Sequence, residues 1–370
     1  MKTKISAYQL FSGIVMLPYG TAALFFITPE AKQDAWISML IYVLPGILLQ
    51  LIYTELWKKY PKDTIVTYMP KIFGKIIGYT LSVIYIIYFA YIAARITRDT
   101  IEIILIAVMP RMSMYIIGIV FMSTVIYGTY TGIENLSRVC FVFLILFVVI
   151  FVIKWVLLFS MPDAIKLYNL KPVLEKGIFS VIKEGWPLIT FPYAESIVLT
   201  MLYPSVTESS RVRKSAVLGT VLLGVLLTCN TIMFISVLGL NFASTSLFPL
   251  LQTYRIMKIG EVFSRFGVFF ILFMIIGSFI KVSFFVYGSM LGISQLTKLN
   301  DTKYLALPLG IVVFITSLLI SSNYPQHIQS GKFLITYTHL PLAIIIPIIA
   351  LILCYLKVLF SKKRNVYKKI

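Results

Sequence analysis

Apolar residues run along this chain in long blocks, separated by short polar clusters, from one end to the other. About ten of these blocks approach or exceed the ~20 residues with which an α-helix crosses ~30 Å of hydrocarbon. They fall near 6–27, 35–57, 74–108, 113–131, 137–159, 186–203, 215–239, 262–293, 304–321 and 336–359. No stretch between them is long enough to bury a separate soluble core. The pattern predicts an all-α membrane protein made of one transmembrane domain, 1–370.

Two blocks are interrupted, at corresponding places in the two halves. The first reads Gly13-Ile14-Val15-Met16-Leu17-Pro18-Tyr19-Gly20, the second Trp186-Pro187-Leu188-Ile189-Thr190-Phe191-Pro192-Tyr193-Ala194-Glu195. Proline inside a helix removes a donor and clashes with the preceding turn. Lipid offers nothing to the carbonyls so released, so such backbone must face protein or a wet cavity. Matched breaks of this kind mark binding sites in transporter folds built from inverted repeats. The expectation is a five-plus-five arrangement, about 1–160 and 161–370, with spans one and six broken. Opened backbone would offer N–H and C=O groups to a small zwitterion, with half-helix N-termini drawing its carboxylate. The competing reading of 13–20 is plain helix packing and a kink.

Two connectors have the look of helices lying on the membrane surface. In 170–185 and 246–260, apolar and charged residues recur at helical spacing. The second either caps the bundle or forms an outer lid over a central site.

Composition sharpens the class. The chain is 59% hydrophobic and 13% charged, against roughly 25% charged in soluble domains. Its net charge of +19 is sorted by loop rather than gathered on a basic face with interleaved aromatics, which argues against nucleic acid. The termini and alternate loops (Lys58, Lys59, Lys62, Lys71, Lys75, Arg211, Arg213, Lys214) carry roughly twice the basic residues of the opposite set. The latter includes Lys32, Arg111, Lys166, Lys258, Arg265 and Lys332. Both termini are therefore expected in the cytoplasm. Lys2 and Lys4 ahead of an apolar run imitate a signal peptide, but the run is too long and lacks a small-residue cleavage site. The basic tail, 357–370, reads as a flank near anionic lipid. Cys140, Cys229 and Cys354 lie scattered in apolar blocks, as packing residues rather than a disulfide framework or metal cluster.

Candidate chemistry sits inside the membrane. Glu195 follows the second break, and a carboxylate at that depth faces a cavity or a partner. It would either meet a ligand amine or carry a proton, or cap the resumed half-helix. Span three carries Arg95, Arg98, Asp99 and Glu102 within about a third of its circumference, as i,i+4 pairs Arg95–Asp99 and Arg98–Glu102. They form either an ion-pair ladder or, with Arg98 and Glu102 foremost, a polar path. Lys281 lies deep in span eight, where it would replace a coupling cation, carry a proton, or pair with a carboxylate such as Glu195. Ser283 and Tyr287 place two hydroxyls on one face of that span, for a ligand or for each other. An enzyme is not indicated. His327 and His339 lie near span ends, and there is no metal-ligand spacing, phosphate cradle or nucleophile elbow. No cofactor is expected.

The chain resembles the B-subunit family of spore germination receptors, the permease-like component. The likeness covers nearly its whole length. It includes the Leu17-Pro18 break, Thr97-Arg98-x-x-x-Glu102 with Pro110, Leu170-Lys171-Pro172-Val173-Leu174-Glu175-Lys176-Gly177, and Phe191-Pro192-Tyr193-Ala194-Glu195. Ser264-Arg265-Phe266, Tyr287-Gly288 and Tyr324-Pro325 follow in order. The family is similar to amino acid–polyamine–organocation transporters. The resemblance implies a nutrient-sensing subunit of the inner spore membrane that works with an A and a C subunit and binds a small nutrient, an amino acid first among them. By position, it implies a pocket of Ser12, Gly13, Leu17 and Pro18 from span one, Pro192, Tyr193 and Glu195 from span six, and Ser283 and Tyr287 from span eight. Phe11 and Ala194 stand where members often carry glycine, and Gly267 stands where an acidic residue often follows Arg-Phe. Two other functions fit the same residues: a proton-coupled amino-acid transporter using Lys281 or Glu195, and a ligand-free scaffold or ion conduit relying on the span-three stripe.

Overall fold

A computed structural model describes residues 4–256 and 266–367. Lys258, Ser264 and Arg265, part of the second surface connector and the predicted start of span eight, lie outside the described residues. Among the described residues there is no β-strand.

The helices, in chain order, begin with α1 (Ala7–Ala22), α2 (Ala35–Ile41), α3 (Val43–Lys59), α4 (Ile65–Phe73) and α5 (Lys75–Ala107). There follow α6 (Met114–Thr131), α7 (Ile133–Ser160), α8 (Gly177–Gly185), α9 (Val212–Met233), α10 (Leu240–Thr245) and α11 (Pro249–Ile256). The last are α12 (Phe266–Thr297), α13 (Ala306–Leu319), α14 (Tyr324–Leu334) and α15 (Ile346–Tyr367). Eight helical runs among the described residues are long and apolar enough to cross a membrane. The two predicted blocks absent from that set are spans one and six, the interrupted ones. The chain is an all-α membrane protein.

Local chemistry accounts for the short turns. Ser6 and Gln9 cap α1 reciprocally, side chain to backbone in both directions, and Thr64 and Thr67 do the same for α4. Gly132 alone separates α6 from α7, and its φ of 94° is open to glycine at little cost.

The two interruptions differ in kind. Helix α1 continues through Pro18 and gives out over 23–28, so the opening lies beyond the predicted 13–20. An interior proline costs about 3 kcal/mol, and packing outweighs it here. Nearly every residue of α1 is buried, against α7, α9 and α12. A Cβ on Gly20 would stand 2.7 Å from the Gly277 carbonyl oxygen, so two backbones touch at this point. The glycine thus serves helix packing. Span six has no α-helix at all. It descends through 3₁₀ turns at Trp186–Ile189, Tyr193–Met201 and Tyr203–Ser205, with Thr190, Phe191 and cis Pro192 between the first two. A nine-residue 3₁₀ run is longer than the three or four residues usual for that geometry. Its residues are all buried, held by α1, α3 and α12.

Span ten also departs from a plain helix. Between α14 and α15 the chain widens into a π-helix, Ile335–Ile345, around Pro341. Three tyrosines of neighbouring helices meet it: Tyr53 and Tyr85 donate to the Ala343 and Leu342 carbonyls at 2.5 and 2.6 Å, and the Tyr88 hydroxyl lies 2.6 Å from His339 Nδ1.

The loops sort into two ends. At one, Ile5 pairs with 205–207, Arg213 bonds Glu55, and Lys357 donates to the Lys71 and Ile72 carbonyls. Both described ends of the chain lie there. At the other, Asp34 accepts from the Leu174 N–H and Lys332 approaches Glu30. Helix α8 lies at this second end with most of its surface exposed, tied by Ser38 and Tyr42 hydroxyls to the Val181 and Ile182 carbonyls.

Candidate ligand site between the interrupted spans

Thr21 occupies the last turn of α1, one residue beyond the Gly20–Gly277 contact. Glu195 occupies the first turn of the Tyr193–Met201 run. Lys281 reaches between them from α12. Its Nζ donates to Glu195 Oε2 at 2.7 Å and to Thr21 Oγ1 at 2.6 Å, and lies 5.2 Å from the Phe191 ring centre. Lys281 is 0% exposed and Glu195 2%. A helix C-terminus favours a cation and an N-terminus an anion, so each charge sits at the helix end that suits it. The aromatic face adds attraction for the ammonium. This is the buried pair that the sequence held open as one role for Lys281.

The pair borders a cavity of about 390 Å³. Phe25, Phe26, Ile27 and Phe191 from the two interruptions supply apolar wall, and Ile92 and Ile96 of α5 add to it. Arg95, Asp99, His327 and His339 add polar groups, and residues 244–247 lie across the same space. The second surface connector therefore contributes to the cavity, and α11 beyond it is largely buried against α12.

The span-three stripe divides. Arg98 pairs with Glu102 at 2.8 Å, as the i,i+4 spacing predicts. Arg95 and Asp99 do not pair with each other, because packed α14 offers both closer partners. Arg95 donates to the His327 carbonyl at 2.7 Å and to Ser330 Oγ at 2.8 Å. Asp99 Oδ1 accepts from the Tyr324 hydroxyl at 3.2 Å and lies 3.2 Å from His327 Nε2. That imidazole contact lacks hydrogen-bond alignment, so it attracts only when the ring is protonated. Arg95 and Asp99 thereby fasten span three to α14 beside the cavity.

Of the predicted site residues, Glu195 and Lys281 line the cavity. Ser12 donates to the Gln9 carbonyl inside α1, Gly13 packs on Leu199 and Phe284, and Leu17 and Pro18 are buried in the helix bundle. Pro192 is buried, and the Tyr193 hydroxyl donates to the Met39 carbonyl at 3.0 Å. Ser283 and Tyr287 are buried in α12, and the Ser283 hydroxyl finds no hydrogen-bond partner among the described residues. Sequence reasoning missed Thr21, Phe25 and Phe191 as wall, though Phe191 lies inside the second break it had found and Thr21 and Phe25 follow the first. It also missed Lys154, buried in α7, whose Nζ donates to Asn230 Oδ1 at 2.8 Å; Asn230 in turn donates to the Tyr19 hydroxyl at 2.5 Å.

Two interrupted spans that meet around a central site are a feature of transporter folds. The fold matches solved structures of transporters, two of which are as follows. One is MhsT in complex with L-phenylalanine: TM-score 0.69, 12% identity, 93% of this chain and 88% of that one. The other is MHP1, a nucleobase-cation-symport-1 family transporter, in a closed conformation with bromovinylhydantoin bound: TM-score 0.65, 8% identity, 87% of this chain and 73% of that one. A family profile described as "Spore germination protein" matches residues 4–325. Spore germination protein KB of Bacillus subtilis (strain 168) is 32% identical over 98% of this chain and 97% of its own length. The chain belongs to the spore germination permease family.

Proposed function

We propose that the chain is the nutrient-sensing, permease-like subunit of a spore germination receptor. A small zwitterion, an amino acid in the first instance, enters the cavity between the interrupted spans. Its carboxylate takes Lys281 and its ammonium takes Glu195, so the resident ion pair is exchanged for two ligand contacts. The observation that carries this reading is the Lys281–Glu195 pair, at 2.7 Å, bordering a cavity walled by both interruptions. Such an exchange leaves no buried charge alone, which would be costly. It also alters what holds the end of α1 to span six, and a ligand shifts a conformational equilibrium only by its difference in affinity for the two states. The change passes to the A and C subunits of the receptor. Enzymatic chemistry has no part in it. Both termini face the cytoplasm, in keeping with the basic residues gathered at their end.

The chain is further read as two inverted repeats, about 1–160 and 161–370. In support, α1 packs on α7 and α9, while its counterpart, Tyr193–Met201, packs on Ile335–Ile345 and α3.

The test is thermal stabilisation of the purified protein by a panel of small nutrients, since a ligand stabilises in proportion to RT ln(1 + [L]/Kd). Stabilisation by at least one zwitterion, lost in Glu195→Gln, is expected. A midpoint that no member of the panel moves would sink the proposal. The transporter-type fold favours one second reading, proton-coupled uptake. Proteoliposomes separate the two: concentrative, pH-driven accumulation would establish transport, and saturable binding without flux would establish sensing.

A further inference from the structure

A second cavity, of about 460 Å³, opens at the end of the bundle where α1 and α9 begin. It is lined by Ala7, Tyr8 and Phe11 of α1 and by Arg211, Lys214, Ser215 and Leu218 at the start of α9. Its composition runs in one direction. Arg211 and Lys214 are exposed at the beginning of α9, and Leu218 lies one helical turn further along, 48% exposed. Tyr8, 63% exposed, and half-buried Phe11 repeat the order on α1. Neither Arg211 nor Lys214 has an ion pair or a side-chain hydrogen bond among the described residues. The nearest carboxylate in sequence, Glu208, is engaged by the Ala7 N–H at 2.9 Å and the Thr207 hydroxyl at 2.6 Å. Arg213, the third cation of this turn, points elsewhere and is taken by Glu55.

We infer that this groove holds the headgroup and upper acyl chains of an anionic phospholipid. Three features select that occupant. Two cations without a salt bridge, Arg211 feeling Glu208 only at longer range, stand at the level where membrane helices begin, where a phosphate lies in a bilayer. Apolar side chains continue from them toward the hydrocarbon, which suits an acyl chain and not a free anion. A tyrosine sits between, at the depth where amphipathic rings settle. The groove has no part in the central cavity: the two share no lining residue. It does share α1, so a lipid seated there braces the first turn of the helix whose last turn carries Thr21.

Native mass spectrometry of the full chain, released from detergent with defined lipids, tests this. With phosphatidylglycerol, one retained lipid is expected. A basic residue near an anionic lipid surface contributes about 1 kcal/mol. Retention should therefore weaken about fivefold in Arg211→Gln or Lys214→Gln, and about thirtyfold in the double variant. A charge-matched control, Lys298→Gln with Lys303→Gln, should retain the lipid as the unmodified chain does. Phosphatidylcholine should be retained no better than by the double variant, and inorganic phosphate should not bind. Equal retention of the two lipids, equal loss in the control, or binding of phosphate alone would each overturn the inference.

Discussion

Replacing Lys281 by methionine leaves the Glu195 carboxylate buried beside a thioether. At 2.7 Å and an effective dielectric constant of about 20, the attraction between the two charges is about 6 kcal/mol. Several kcal/mol of desolvation per ion stand against it, so the intact pair is nearly neutral in net stability. Removing one partner is different: the remaining charge keeps its desolvation cost and loses its compensation, for about 3–5 kcal/mol. Over 370 residues, at about 2.1 cal/mol/K per residue, that lowers the thermal midpoint by about 4–6 °C. Glu195→Gln should cost a similar amount, by leaving the ammonium with Thr21 Oγ1 and the Phe191 ring alone. The double variant Lys281→Met/Glu195→Gln should lie within about 1–2 kcal/mol of the starting protein. Thermal unfolding in detergent of all four proteins reads the cycle, whose coupling energy isolates the pair. The same four proteins separate folding from function. The double variant regains the fold but has no charges to give a zwitterion, so no ligand should raise its midpoint. If either single variant is as stable as the double, Lys281 and Glu195 are not a buried charged pair and the exchange mechanism fails.

Gly20→Ala places a methyl against the Gly277 carbonyl, and the backbone must shift to admit it. A loss of about 1–3 kcal/mol in thermal unfolding is expected, and an unchanged midpoint would show that α1 and α12 do not touch there. Arg95→Gln removes the bonds to the His327 carbonyl and Ser330, each about 1.5–3 kcal/mol for a charged donor. Thermal unfolding should show a loss of at least about 1.5 kcal/mol; an unchanged midpoint would mean that Arg95 does not fasten α5 to α14. Lys154 is buried with an amide oxygen as its hydrogen-bond acceptor. Lys154→Met relieves the burial of the ammonium but leaves the Asn230 side-chain oxygen without that donor, at about 1–3 kcal/mol, so thermal unfolding should show a loss of no more than about 3 kcal/mol, and a larger one would reveal a partner of opposite charge.

The sequence made the class legible because the membrane imposes it. Hydrocarbon thickness sets block length, and the eight long spans fell where apolar runs of that length stood. The breaks were legible as breaks, because Pro18 and Pro192 are conspicuous in apolar runs. Where the backbone opens was not. In span one the Gly20–Gly277 contact and the packing of α1 carry the helix past Pro18, and both depend on residues more than 100 positions away in the chain. In span six, proline marks the turn, yet the long 3₁₀ run after it is set by α1, α3 and α12 closing around Tyr193–Met201. Glu195 and Lys281 could be singled out because a charge in an apolar block is rare. Their partnership depended on tertiary contact across 86 residues. Arg95 and Asp99 show the reverse. The i,i+4 spacing suggested a pair, and α14, remote in sequence, offered each a better partner. His339 looked incidental near a predicted span boundary, and only the joined run from α14 to α15 moves it to the cavity wall.

Calorimetric titration of the purified protein with the zwitterion that stabilises it best tests the central claim most directly. The account predicts saturable binding at one site that is abolished in Lys281→Met/Glu195→Gln and preserved in a charge-matched pair of substitutions outside the cavity, Lys298→Gln/Lys303→Gln. Undiminished binding by the double cavity variant would place the ligand elsewhere and contradict it.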